Sequence, residues 1–200
     1  GPDGSVYLID WYDRNACHRA DPEIWDRTNG RIYKISYGTP KPAKVDLSKL
    51  SDGELVKLHG SPNEWYVRTA RRILQERGGN RAMHAGLGQI VDSQSSVPVR
   101  LRALWTLHAC GGFNENYAIR LLDSPDEYIR AWTIQLQLED RAASPAFLTK
   151  LVELASSDPS PVVRLYIASA LQRLPAEERW PIATALARRD EDAGDHNLPL

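Results

Sequence analysis

Apolar residues alternate with polar ones near the start of the chain and recur at helical spacing from Asp46 onward, so the backbone is expected to change from strand to helix. Val6 to Trp11 is rich in β-branched and aromatic residues and follows the turn sequence Pro2-Asp3-Gly4, which predicts a strand. Arg31 to Tyr37 places Ile32, Tyr33, Ile35 and Tyr37 among polar residues after Asn29-Gly30 and predicts a second strand. A long loop, Tyr12 to Asn29, joins them. Two strands are marginal alone in water, so the hairpin is expected to belong to a larger sheet or to lean on the helices. Residues 38–45, with Pro40 and Pro42, read as a linker.

Beyond the linker, one phrase recurs: a capped, proline-started helix carrying a hydrophobic-Arg pair. It ends on Val67-Arg68, Val99-Arg100, Ile129-Arg130 and Val163-Arg164, with arginines 32, 30 and 34 residues apart. That period fits one helix pair per unit and predicts a stacked α-solenoid, because a single pair cannot bury both of its faces. The face predicted to point inward comprises Val67, Leu74, Ala103, Leu107, Trp132, Leu136, Ile167 and Leu171. First helices carry Leu87, Ile90 and Val91, then Ala118, Leu121 and Leu122, then Leu148, Leu151, Val152 and Ala155. Capping boxes are expected at Ser51 with Glu54 and at Ser61 with Glu64. Ala176 to Arg189, which Pro181 is expected to interrupt, starts a further unit. Arg68, Arg100, Arg130 and Arg164 are expected to form a cohesive ladder, each guanidinium reaching a carboxylate or helix-end carbonyl on an adjacent pair.

Charge narrows the function classes. The formal net charge is -1, which argues against a dedicated nucleic-acid binder although Arg outnumbers Lys by 19 to 6. No apolar run reaches membrane-spanning length, so direct membrane insertion is not expected. Cys17 and Cys110 fall in different modules and are not expected to pair. The start at Gly1-Pro2, without Met, and the ending Asn197 to Leu200 suggest an internal piece of a longer protein.

The phrase Pro-x-x-x-hydrophobic-Arg over about Leu50 to Arg189 resembles HEAT-type repeats. Gly1 to Tyr12 and Glu23 to Ile35 resemble the final blade of a glucose/sorbosone dehydrogenase-like β-propeller. Blade, proline-rich linker and repeats together are similar to bacterial membrane-bound dehydrogenase-type proteins, also called PVC-type haem-binding proteins. The fold expected is mainly α: a HEAT-like α-solenoid with a short N-terminal β-hairpin left from a propeller. Residues 1–37 would be the blade fragment, 38–45 the linker and 46–200 the repeats, incomplete at the C-terminus. The resemblance implies a parent with a c-type haem domain, sugar or alcohol dehydrogenase activity, and a periplasmic or membrane-associated location.

Local chemistry in the residues themselves is sparse. Cys17-His18 supplies half of a Cys-x-x-Cys-His haem attachment, but Arg14 stands where the first thiol is needed, so no cofactor is expected in this chain. The long loop gathers Asp10, Asp13, Cys17 and His18. Asp10 and Asp13 are candidate ligands of a hard cation, and Asp10, Asp13 and His18 are candidate catalytic groups. His59, His84 and His108 read as surface or rim residues, Trp65, Trp105 and Trp132 as core, and Gly78-Gly79 and Gly111-Gly112 as helix stops. The leading expectation is a non-catalytic scaffold or interaction module whose partners are neighbouring domains of the parent or another protein. The first alternative is that the N-terminal loop completes a dehydrogenase active site in the parent. The second is a HEAT-like nucleic-acid-binding protein.

Overall fold

A two-stranded antiparallel hairpin opens the chain: β1 (Val6–Ile9) pairs with β2 (Ile32–Ile35), with Val6 opposite Ile35 and Ile9 opposite Ile32. The computed structural model describes residues 1–10, 30–41 and 43–198. The strands form because β-branched and aromatic residues suit a pleated backbone. Their side chains do not sort into a buried and a wet face, however, since all eight strand positions are exposed. The hairpin is tied instead at its base, where Ser5 and Ser36 share a 2.9 Å hydroxyl hydrogen bond and Lys34 pairs with Asp3 at 2.7 Å. It meets the helices through its first residues: Asn63 donates to the Gly1 carbonyl at 3.1 Å and the Tyr66 hydroxyl to the Pro2 carbonyl at 3.2 Å.

The rest is helical. Among the described residues nine α-helices follow: α1 (Asp52–Lys57), α2 (Glu64–Arg77), α3 (Arg81–Asp92), α4 (Val97–Ala109), α5 (Glu115–Leu121), α6 (Glu127–Gln137), α7 (Pro145–Ser157), α8 (Pro161–Ala170) and α9 (Ala176–Leu186). None is long and apolar enough to cross a membrane. Short polar side chains cap seven of them, all but α4 and α9, because an N-cap oxygen satisfies N–H groups that have no partner in the first turn. Ser51 and Glu54 form the expected capping box. The box expected at Ser61 and Glu64 does not form. Asn63 caps α2 by accepting from the Trp65 N–H at 2.9 Å, which places Glu64 inside the helix and leaves its carboxylate to pair with Arg102. Asn80, Asn114, Asp126, Ser144 and Ser160 cap the later helices in the same manner. Pro181 lies within α9 and does not interrupt it.

Helices α2, α4, α6 and α8 each pack on the next, while α1 packs on α3, α5 on α7 and α7 on α9. Two apolar clusters result. The first gathers Leu55, Leu74, Met83, Leu87 and Leu104; the second gathers Leu122, Ile134, Phe147, Leu151 and Ile167; Phe113 touches both. Each fully buried leucine among them contributes about 2 kcal/mol through apolar burial. Val67, Leu74, Ala103, Leu107 and Ile167 are buried as expected, but Trp132, Leu136 and Leu171 are only half-buried. The reason is visible in α6, which lies between α4 and α8. Trp132 and Leu136 pack on the first cluster while Ile134 and Leu138 enter the second, so one predicted stripe becomes two. Ile90, Leu148 and Val152 are half-buried on the first helices for the same reason of position, at the margins of their clusters.

Candidate functional site

Asp10 follows β1. Its backbone N–H donates to the Arg31 carbonyl at 2.8 Å, and its carboxylate sits 3.8 Å from the Arg31 guanidinium and accepts from the Tyr33 hydroxyl at 3.5 Å. These contacts make it a partner within the hairpin. Asp13, Cys17 and His18 lie outside the described residues. No cluster of three or more His, Cys, Asp or Glu side chains able to hold a metal occurs among the described residues. Cys110 is buried, and burial pushes its thiol up, away from the reactive thiolate.

The repeat arginines divide into two kinds. Arg130 donates from Nε and Nη2 to both carboxylate oxygens of Asp158, at 2.7 and 2.8 Å, and from Nη1 to the Ser124 carbonyl at 2.8 Å. Arg164 repeats this figure one unit later: Nε and Nη2 meet the Asp192 carboxylate, the former at 2.6 Å, and Nη1 meets the Asp158 carbonyl at 2.7 Å. A planar guanidinium fits both demands at once, which a lysine ammonium does not. Among the described residues Arg100 finds only the Val91 carbonyl, at 2.8 Å, and Arg68 is exposed, with no hydrogen bond or ion pair. The cause lies in the following unit. Asp158 stands six residues before Arg164, whereas the matching places before Arg130 and Arg100 hold Ser124 and Gln94, which carry no charge. The ladder expected across all four arginines therefore closes bidentately onto a carboxylate at Arg130 and Arg164 alone. Other arginines tie the N-terminal helices to neighbouring segments: Arg77 donates to the Ser48 and Leu50 carbonyls, and Arg102 to those of His59 and Ser61.

A second alignment crosses the helices α2, α4, α6 and α8. The Arg71 guanidinium lies over the Trp105 ring at 5.5 Å, Trp105 meets Trp132 edge to face at 4.9 Å, and Trp132 meets Tyr166 at 6.1 Å. The tryptophans expected as core are thus half-buried packing residues. At its α2 end this stack borders a groove of about 590 Å³, with Val97, Pro98, Leu101 and Trp105 as its apolar part. Arg68, Arg71 and Arg102 supply cationic groups, and Glu64, Asp126 and Glu127 anionic ones. Most of these charges are already engaged. Arg102 pairs with Glu64, the Asp126 carboxylate caps α6 by accepting from the Tyr128 and Ile129 N–H groups, and Glu127 accepts from the Ser160 hydroxyl.

His59, expected at the surface, is completely buried beside this groove. The Val56 carbonyl, 2.9 Å from Nδ1, can only accept, which fixes the ring proton there. Nε2 lies 2.7 Å from the Thr106 hydroxyl, whose single proton also has the Arg102 carbonyl as an acceptor at 2.9 Å, and the Thr106 oxygen accepts from Arg71 Nε at 3.1 Å. Burial lowers the His59 pKa to about 4, with Arg71 and Arg102 pushing in the same direction. The sequence carried no sign of this, since His59 and Thr106 are 47 residues apart.

His84 also turns inward, with Nε2 3.0 Å from the Cys110 carbonyl. Gly78 and Gly111 adopt left-handed backbones as helix stops require. Gly79 and Gly112 serve differently: a Cβ on Gly79 would collide with the Cys110 carbonyl and the His84 ring, and one on Gly112 would lie 2.5 Å from Leu107 and 2.6 Å from His84. Gly79→Ala is expected to lower stability by about 2 kcal/mol, measured by urea unfolding, because a backbone carbonyl cannot swing aside. Gly53→Ala, where a Cβ meets open space, provides the control and should not destabilise.

No protein-family model matches this chain, and no curated protein matches it either.

Proposed function

We propose that this chain is a HEAT-like α-solenoid segment that works as a non-catalytic scaffold and interaction module. The observation that carries the reading is the repeated clamp. Arg130 with Asp158 and Arg164 with Asp192 use the same atoms in the same roles, at a spacing equal to one helix pair. Such repetition suits a structure in which each unit is stabilised chiefly by its neighbour, and in which rigidity along the row is the useful property. On the resemblance of its first residues to a propeller blade, the row would hold a propeller and an electron-accepting domain in fixed relation within a larger protein.

The test is Arg130→Lys. Charge is kept while the fork geometry is lost, so the unfolding free energy is expected to fall by about 1 kcal/mol or more. An unchanged midpoint combined with weaker binding of an acidic partner or a nucleic acid would make this arginine a recognition residue and would remove the support for the scaffold reading.

A further inference from the structure

We propose that the groove between α2, α4 and α6 binds an acidic peptide segment in which a carboxylate lies beside an apolar side chain. The proposal rests on the interaction-module reading and names the chemistry of the partner. Among the described residues two guanidinium groups in the groove have no carboxylate partner: Arg68, which is exposed and makes no hydrogen bond or ion pair there, and Arg71, whose hydrogen bond goes to the neutral Thr106 hydroxyl. The other charged groups of the groove are held by Arg102 with Glu64, by the α6 cap and by Ser160. Burial holds the Arg71 guanidinium below its usual range. Glu64 opposes that shift, and the neighbouring Arg68 and Arg102 deepen it. A carboxylate arriving beside Arg68 and Arg71 would relieve that repulsion and accept planar, charge-assisted hydrogen bonds.

The apolar half of the groove explains why the carboxylate should come with a hydrophobic neighbour. Val97, Pro98 and Leu101 lie next to Trp105 in a space of about 590 Å³, within the usual size of a ligand pocket. An apolar side chain placed there is removed from water while the carboxylate stays at the arginines. Asp126 and Glu127 on α6 add negative charge at the far side, which disfavours a polyanion and suits a peptide bearing one localised negative group. A phosphate backbone would need the cationic row to continue. It stops instead, since Arg130 and Arg164 are buried and committed to Asp158 and Asp192.

Fluorescence anisotropy of the full chain with fluorescein-labelled Ser-Gly-Leu-Glu-Phe-Gly-Ser amide, whose one side-chain carboxylate lies between two apolar residues, tests this directly. Saturable binding is expected, weakened about tenfold or more when Gln replaces the glutamate of the peptide, and about tenfold in Arg68→Glu. The variant should unfold at the same urea midpoint, because Arg68 is exposed and makes no polar contact among the described residues. Absence of saturable binding, equal affinity for the glutamine peptide, or indifference to Arg68→Glu would each overturn the proposal. So would tighter binding of labelled oligothymidylate that Arg68→Glu abolishes, which would identify a nucleic-acid surface. The scaffold reading stands or falls separately on Arg130→Lys, since Arg130 lies outside the groove.

Discussion

Asp158→Ala is expected to cost about 3 to 5 kcal/mol of folding free energy, enough to remove a large part of the stability of an ordinary domain. The carboxylate is almost wholly enclosed, with side-chain exposure of 2%, and the Arg130 side chain facing it is 10% exposed. Removing the anion strands the guanidinium in a site that water does not reach, and it also orphans the Ser160 N–H, which donates to Asp158 at 2.8 Å. Replacing both partners together, Arg130→Met with Asp158→Leu, should restore part of the loss, because the stranded charge is removed while the Ser160 N–H still lacks its acceptor. Asp92→Ala offers the comparison. Its partner Arg120 is bonded at 3.0 Å, yet their side chains are 41% and 60% exposed, so solvent screening should limit the effect to less than about 1 kcal/mol. Urea unfolding of the variants measures both. Equal small losses at the two sites would mean that the enclosed pair contributes no more than a surface pair.

Acidification should weaken the fold between pH 6.5 and about 4 through His59. In the unfolded chain this ring takes up a proton near 6.5, but in the folded chain it resists until about 4, so the unfolded state holds more protons across that window and stability falls as pH falls. The total comes to about 3 kcal/mol. Protonation would place a new cation in a buried site beside Arg71 and Arg102. Carboxylates held below their ordinary range, such as Asp52 beside Arg77, contribute stability above their unfolded pKa and lose it only below about 4, where the His59 window ends. Urea unfolding followed against pH should therefore show a fall above 4 that His59→Gln flattens, at the expense of lower stability at neutral pH. A variant with an undiminished slope would place the acid sensitivity elsewhere.

The helices were legible because most begin with a polar cap and keep their apolar residues at three- and four-residue spacing, and both signals are local. The hairpin was legible for the same reason. What escaped the sequence depends on distant partners. His59 is buried because Val56 and Thr106 satisfy both of its ring nitrogens, and the second of these comes from another helix. Trp132 and Leu136 were placed on a single inward stripe, although a helix with neighbours on two sides presents two. The repeat arginines look alike in sequence, yet only those followed by a unit carrying Asp158 or Asp192 are clamped onto a carboxylate. A carboxylate six residues ahead of the next arginine was a readable sign for the first of these. The groove was not readable, since Arg71, Leu101 and Tyr128 come from three helices whose mutual placement is set by packing.

The central claim is that successive units are coupled through the repeated arginine clamp, and a double-mutant cycle on Arg130 and Asp158 tests it most directly. Urea unfolding of Arg130→Lys, Asp158→Asn and the double variant gives the coupling free of unrelated effects on either residue alone. The account predicts a coupling of about 1.5 kcal/mol or more, with the double variant much closer to the single variants than their sum. Additive losses would contradict it, because the two side chains would then stabilise the fold independently and the clamp would not join one repeat to the next.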